Sequence, residues 1–355
     1  MDQQKKLYVA VGVLLVLGAL VFVQRKSEHS EAQSHSLEGQ AASLPKLGLT
    51  DDVVKGIDRI TLVKPAEKDG GASTEIELVK TGDEAWDLKQ PLQAKANASN
   101  VKSLLDNLGK LSLSELITSN KDEYRRWGVS DNKGLHATFF KGKDNVFDVY
   151  FGENGSRGQM TRLGNHDGVF AVKGFSKWLY DRDAKGWRDK SMLKFDDKDV
   201  VKVQIKNSNG VFTFDKSGES WTGKTGKTAA SEKPIAKFQP SKVEDLLRAF
   251  KALSAMDFGD DKKPADVGLA EPEATVTIEL KGGQATHVLK LGDVAEGSNR
   301  WAMTNGSAQI YTISSWSADW ATANASKFEA SDKPASAAPS PSAAQAHGGE
   351  EPDEQ

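Results

Sequence analysis

One stretch spells out phosphate chemistry by residue type and spacing. Gly218-Glu219-Ser220-Trp221-Thr222-Gly223-Lys224-Thr225 satisfies the pattern GxxxxGK[ST]. In a working P-loop, backbone N–H groups curl at the N-terminus of a helix and the lysine reaches the β and γ phosphates. Here Gly226, the polar run to Lys233 and Pro234 carry no apolar periodicity, so no helix is expected to follow. The match reads as a loop that binds no nucleotide, and residues 82–91, at the matching place in the first half of the chain, have no GKT. Asp257-Phe258-Gly259 copies the kinase magnesium triplet without the Gly-rich loop, lysine strand or catalytic loop that triplet works with. Gly155-Ser156-Arg157-Gly158 misplaces the second glycine of a nucleophile elbow.

Six histidines, His29, His35, His136, His166, His287 and His347, are scattered and form neither HxH nor HExxH spacing. The chain has no cysteine, which removes disulfides, thiolate nucleophiles, Cys-ligated zinc and lipid-modified cysteine together. Carboxylates are plentiful, and no pair is singled out for glycosidase-type work. The sequence therefore predicts no catalytic residue, no cofactor site and no metal site. With 47 basic against 50 acidic side chains, the net charge of -3 is too even to predict nucleic acid as partner.

Two tryptophans, Trp86 and Trp221, occupy equivalent places in the two halves. Stacking against a sugar or peptide is one use for them, but closing a strand hairpin against the sheet explains their recurrence more economically. Trp178, Trp187, Trp316 and Trp320 gather near the end of each half, where they pack the halves or face a partner.

The elements that position these residues begin with an uncharged apolar run, residues 7–23, between Lys5-Lys6 and Arg25-Lys26. It is long enough to span a bilayer and lacks a small-x-small cleavage site, so a retained inner-membrane helix is expected within residues 1–26. Residues 27–50 read as a polar stalk on the periplasmic side. Residues 330–355, Ala-, Ser- and Pro-rich and then acidic, read as a disordered tail.

Between them lies an internal repeat of roughly 140 residues. Val101, Leu104, Leu105, Leu108 and Leu111 share one helical face, and Val243, Leu246, Leu247, Phe250 and Leu253 repeat the spacing. The second helix opens on Ser241 and Glu244, the pattern of a capping box. Upstream lie paired strands, Ile60 and Leu62 with Ile76 and Leu78, repeated as Val203 and Ile205 with Phe212 and Phe214. Downstream, Trp127-Gly128-Val129 matches Val267-Gly268-Leu269, and His136, Thr138 and Phe140 match Val276, Ile278 and Leu280. Then Val149, Phe151 and Gly152 match Leu289, Leu291 and Gly292, and residues 169–172 match 310–313. Turns such as Asn165-His166-Asp167-Gly168 and Gly282-Gly283 indicate hairpins. The expectation is an α+β fold in two copies, residues 51–193 and 194–329, each a mostly antiparallel sheet covered by one helix.

An N-terminal membrane helix with repeated units of this kind resembles the domain-of-unknown-function family numbered 4340. The resemblance rests on Lys80 to Trp86, Leu104-Leu105 to Leu111 and Gly128-Val129, and on their counterparts Lys216 to Trp221, Leu246-Leu247 to Leu253 and Gly268-Leu269. It covers nearly all of residues 57–328 and offers no catalytic residues to carry over. It implies a membrane-anchored extracytoplasmic protein found with gliding-type ABC transporter subunits. The expected function is thus a non-enzymatic accessory or scaffold subunit of an ABC-type transporter, with permease and ATPase subunits as partners. The runner-up is a binding module for cell-envelope polysaccharide or peptidoglycan, and an envelope hydrolase ranks last.

Overall fold

The computed structural model describes residues 44–66, 71–283 and 286–330. The expected membrane helix, most of the stalk and nearly all of the tail lie outside the described residues. Among those described, no helix is long and apolar enough to cross a membrane. The chain divides into two compact units between Asp189 and Lys190, a few residues ahead of the expected boundary.

The first unit holds β1 (Arg59–Lys64), β2 (Thr74–Lys80), β3 (Trp86–Gln90), β4 (Ala94–Lys95), β5 (Ser112–Thr118), β6 (Leu135–Lys141), β7 (Asp144–Gly155), β8 (Gly158–Leu163) and β9 (His166–Lys173). Their spatial order is β4-β3-β2-β1-β6-β7-β8-β9-β5. The second unit holds β10 (Val200–Asn207), β11 (Gly210–Ser217), β12 (Ser220–Gly226), β13 (Lys233–Pro234), β14 (Asp257–Phe258), β15 (Ala274–Leu280), β16 (Thr286–Val294), β17 (Arg300–Thr304) and β18 (Tyr311–Ile313). Their order, β13-β12-β11-β10-β15-β16-β17-β18-β14, is the same topology strand for strand. The helices are short: α1 (Asp51–Lys55), α2 (Ala98–Leu108), α3 (Lys177–Tyr180) and α4 (Ala184–Trp187) in the first unit, α5 (Ser241–Phe250) and α6 (Ser315–Ala321) in the second. Two nine-stranded antiparallel sheets with so little helix make the protein mainly β rather than α+β. The expectation undercounted because β4, β13 and β14 have two residues each, too few to show a period. The segment matching the GKT run reads as loop from the sequence, yet its Trp86–Gln90 forms β3.

The chain leaves β4 at one edge of the first sheet, forms α2, and returns as β5 at the opposite edge. An 11-residue helix is about 16 Å long, and the few flanking residues add at most ~17 Å. Nine flat strands would be about 38 Å wide, so the sheet curls around its helix to bring the edges within reach. Val101, Leu104 and Leu108 fill the hollow with Ile60, Leu62, Ile76 and Leu78. In the second unit Val243, Leu246, Leu247 and Phe250 do so with Val203, Ile205, Phe212 and Phe214.

Three local readings are corrected. On β6 the core face carries Leu135, Ala137 and Phe139, with His136 and Phe140 turned to the other side. Because strand side chains alternate with period two, a one-residue slip exchanged the faces, and the true counterparts of Ala137 and Phe139 are Val276 and Ile278. Ser241 makes no capping bond: Pro240, with φ −55° and ψ −36°, already has helical backbone, which puts Ser241 inside the first turn. The first helix is capped by Asn97, whose side chain accepts from Asn100 N at 3.1 Å. Finally, the β8–β9 turn comes at Gly164-Asn165, and His166 already pairs with Leu163.

Candidate functional site

The one-residue slip on β6 puts His136 on the face opposite the core, and the antiparallel register aligns it with two further side chains. His136 lies across from Tyr150 on β7, and Tyr150 from Arg162 on β8. They form a column. The imidazole stacks on the Tyr150 ring at 3.9 Å with the planes 3° apart, and the Arg162 guanidinium lies 3.6 Å from the same ring's centre. Arg162 also donates from Nε to the Val129 carbonyl at 2.8 Å and pairs with Asp131. Val129 is itself buried behind Gly128, whose φ of +68° permits the turn that brings this loop down on Met160, Val169 and Ala171. The second unit repeats this with Gly268 at φ +72° and Leu269 packed on Val267 and Ile310.

Two groups approach His136 Nε2, the Asp148 carboxylate at 2.9 Å and the Thr138 hydroxyl at 3.2 Å. A nucleophile–base–carboxylate relay needs the acid and the hydroxyl on different ring nitrogens. Sharing one nitrogen, they orient the ring and cannot relay a proton through it. Burial alone pushes the Asp148 carboxyl up. Hydrogen bonds from His136 and Asn145, with the fields of His136 and Arg162, outweigh it and hold the group below the ordinary carboxylate range. Burial, reinforced by Asp131, pushes the Tyr150 hydroxyl up. Beside the column opens a polar cleft of about 650 Å³ lined by Lys121, Tyr124, Arg125, Asp131, Arg162 and Asp167. Its charges are largely paired, Lys121 with Asp167 at 2.8 Å and Arg162 with Asp131. In the second unit the equivalent column positions are Thr275, Lys290 and Met303, so this feature belongs to the first unit alone.

The GKT segment is strand rather than loop: Gly223, Lys224 and Thr225 lie within β12, paired with Phe214, Thr213 and Phe212. Gly223 is pressed by the Phe238 ring, and Lys224 lies 3.8 Å from Asp215. Its backbone donors run along a sheet, not around a phosphate. Asp257-Phe258 forms β14 against β18, and Ser156-Arg157 is the two-residue turn between β7 and β8. His287 on β16 stacks on Phe195 at 5.5 Å, while His29, His35 and His347 lie outside the described residues. Among the described residues no group of three or more His, Asp or Glu is placed to hold a metal ion.

The tryptophans divide sharply. Trp86 and Trp221 are 6% and 5% exposed and belong to the two cores, so neither offers a face to a sugar. Trp187 and Trp320 are buried as well. Trp178 and Trp316 stand out at 63% and 56% exposed. Each is the second residue of the short helix that follows the last strand in chain order, α3 after β9 and α6 after β18. Beside Trp178 the Arg182 guanidinium lies 5.0 Å from its ring and 5.8 Å from that of Trp187. The sequence placed both residues in one cluster with Trp187 and Trp320, and only the helix geometry separates the exposed pair from the buried one.

A family model described as Domain of unknown function (DUF4340) matches residues 86–272 and 260–332, more than half the chain. No curated protein and no solved structure matches it.

Proposed function

The chain belongs to the DUF4340 family, and from that membership we propose that it is a non-enzymatic, membrane-anchored accessory or scaffold subunit of an ABC-type transporter complex. Residues 7–23 hold it in the inner membrane, and the two units project into the periplasm. The observation that carries a docking role is the exposed tryptophan repeated at one helix position in both units. Burying a large aromatic ring removes much apolar surface from water, and Trp and Arg are the side chains that most often dominate binding energy at protein interfaces. Trp178 with Arg182 beside it supplies both. The partner class comes from the family resemblance, which implies permease and ATPase subunits.

The test is affinity purification from detergent-solubilised membranes, read by mass spectrometry. The wild-type chain should recover transporter permease and ATPase subunits, and the double variant Trp178→Ala/Trp316→Ala should lose most of them. Recovery unchanged by the double substitution refutes the docking face. Absence of transporter subunits from the wild-type sample refutes the partner class, and Trp-dependent retention on purified envelope glycans would replace it with the polysaccharide-binding reading.

A further inference from the structure

The docking role leaves unused the cleft beside the His136–Tyr150–Arg162 column. Its walls are held in place by the fold. Arg162, with 15% of its side chain exposed, is tied to the Val129 carbonyl, to Asp131 and to the Tyr150 ring. The Tyr124 hydroxyl accepts from Gly168 N at 3.0 Å, and its ring lies 5.2 Å from the same guanidinium. The β8–β9 turn is pinned on β7, because Gly164 N donates to the Asp148 carbonyl at 2.9 Å and a Cβ at Gly164 would sit 2.6 Å from the Asp148 carboxyl carbon. Groups already in position lose little freedom when a ligand binds. At about 650 Å³ the cleft falls within the range of roughly 300–1,000 Å³ that small-ligand sites occupy.

Its lining alternates in charge. Lys121, Arg125 and Arg162 stand among Asp122, Asp131 and Asp167, three cations with three anions. An anion drawn to the cations meets the carboxylates as well, and a cation meets the reverse, so neither sign of ligand gains much. A hydroxyl donates to a carboxylate and accepts from a guanidinium or ammonium at once. The β8–β9 turn adds uncharged partners. Asn165 Oδ1 can only accept, so its 2.8 Å contact with His166 Nδ1 puts the proton on that nitrogen. In the neutral ring Nε2 then accepts, next to the Asn165 amide nitrogen, which donates. A ring carrying several hydroxyls, with a C–H face for Tyr124, matches this set. The second unit does not share it. Counted from the loop glycines Gly128 and Gly268, Tyr124 and Arg125 stand where the second unit has Pro264 and Ala265, and Arg162 stands where it has Met303.

We propose that the first unit binds a neutral saccharide in this cleft, with a pyranose ring against Tyr124 and its hydroxyls shared among Arg125, Arg162, Asp131, Asn165 and His166. The site involves neither exposed tryptophan and does not depend on the transporter reading.

The full-length protein, purified in a detergent without a sugar headgroup, is titrated with cellobiose, maltose and N,N′-diacetylchitobiose and followed by saturation-transfer difference NMR. At least one of the three should receive transfer. Arg125→Ala and Asn165→Ala, both at exposed positions, should keep the wild-type circular dichroism spectrum and each weaken binding about tenfold, the effect of losing one well-placed hydrogen bond. The double variant Trp178→Ala/Trp316→Ala should bind as wild type does, and inorganic phosphate should not displace the sugar. Absence of transfer to all three disaccharides, displacement by phosphate, or binding that Arg125→Ala and Asn165→Ala leave unchanged would each overturn the proposal.

Discussion

Gly152 and Gly292 are placed to test the packing of each unit with a single added methyl group. A Cβ on Gly152 would overlap the Trp127 carbonyl oxygen and sit 2.7 Å from Val129 Cγ1. On Gly292 it would overlap the Val267 carbonyl oxygen and sit 3.1 Å from the Leu269 Cγ. Real Cβ contacts keep to 3.0 Å or more, so either the strand or the loop must move. The loop is poorly able to, because it is anchored by buried Val129 or Leu269 and turned by a glycine at positive φ. Overpacking of this kind costs about 1–3 kcal/mol, and an unyielding backbone oxygen puts these sites near the top of that range. For a unit of this size ~3 kcal/mol lowers the melting temperature by roughly 6–12 °C. Gly155→Ala and Gly306→Ala are controls, since nothing lies within 4 Å of a Cβ at either. Calorimetry gives the magnitude, and hydrogen exchange by mass spectrometry assigns the loss to the first unit for Gly152→Ala and to the second for Gly292→Ala. If either variant stays within ~0.5 kcal/mol of wild type, the claim that these loops are pinned to their strands is wrong.

Four further outcomes are expected. Leu247→Ala, in the core, should cost about 2–5 kcal/mol, whereas Leu105→Ala, half-buried on the equivalent helix, should cost under ~1.5 kcal/mol; equal losses in denaturant titrations would contradict the burial difference. The folded-state pKa of Asp148 is depressed, so its stabilising contribution is present above the unfolded value near pH 3.9 and fades as pH falls through the folded value. Asp148→Asn should therefore flatten the stability profile below about pH 4, and an unchanged acid limb would remove the His136 pairing from the account. Titration calorimetry with ATP and magnesium should show no binding in wild type or Lys224→Ala, and micromolar binding lost in the variant would restore the P-loop reading. N-terminal sequencing of the mature protein should find residues 7–23 retained, and cleavage after them would remove the anchor.

The repeat was legible because it depends on features that survive in sequence: glycines that no other residue replaces, and apolar pairs two apart on strands. Gly128 with Gly152 and Gly268 with Gly292 could be aligned before any geometry was known, since a positive φ and a carbonyl pressed against the strand both demand glycine. The β6 register was not legible. In His136-Ala137-Thr138-Phe139-Phe140 the far face carries the apolar Phe140 beside His136 and Thr138, covered there by the Arg59 guanidinium and, at His136, by the Tyr150 ring. With both faces partly buried, alternation no longer says which face is the core. The column of His136, Tyr150 and Arg162 was hidden for a different reason: its members are far apart in sequence and meet only through strand pairing.

Duplication within one chain supplies an argument that a single domain could not. What both copies need for folding should recur buried, and Trp86 with Trp221 and the Gly128 and Gly268 loops do. What one copy has acquired for itself should lack a counterpart, as the His136–Tyr150–Arg162 column does against Thr275, Lys290 and Met303. Trp178 and Trp316 fit neither class: they recur at one helix position, yet more than half of each lies in solvent, where a tryptophan adds little to the stability of its own unit. Packing accounts for a shared buried ring, and chance for a lone exposed one. A shared exposed ring is what the proposed docking role would explain, through a partner surface that both units meet in the same way. That role is separable from stability. Trp178→Ala and Trp316→Ala should each leave unfolding within ~0.5 kcal/mol of wild type while weakening partner recovery. A variant that lost stability and kept its partners would return these residues to the fold.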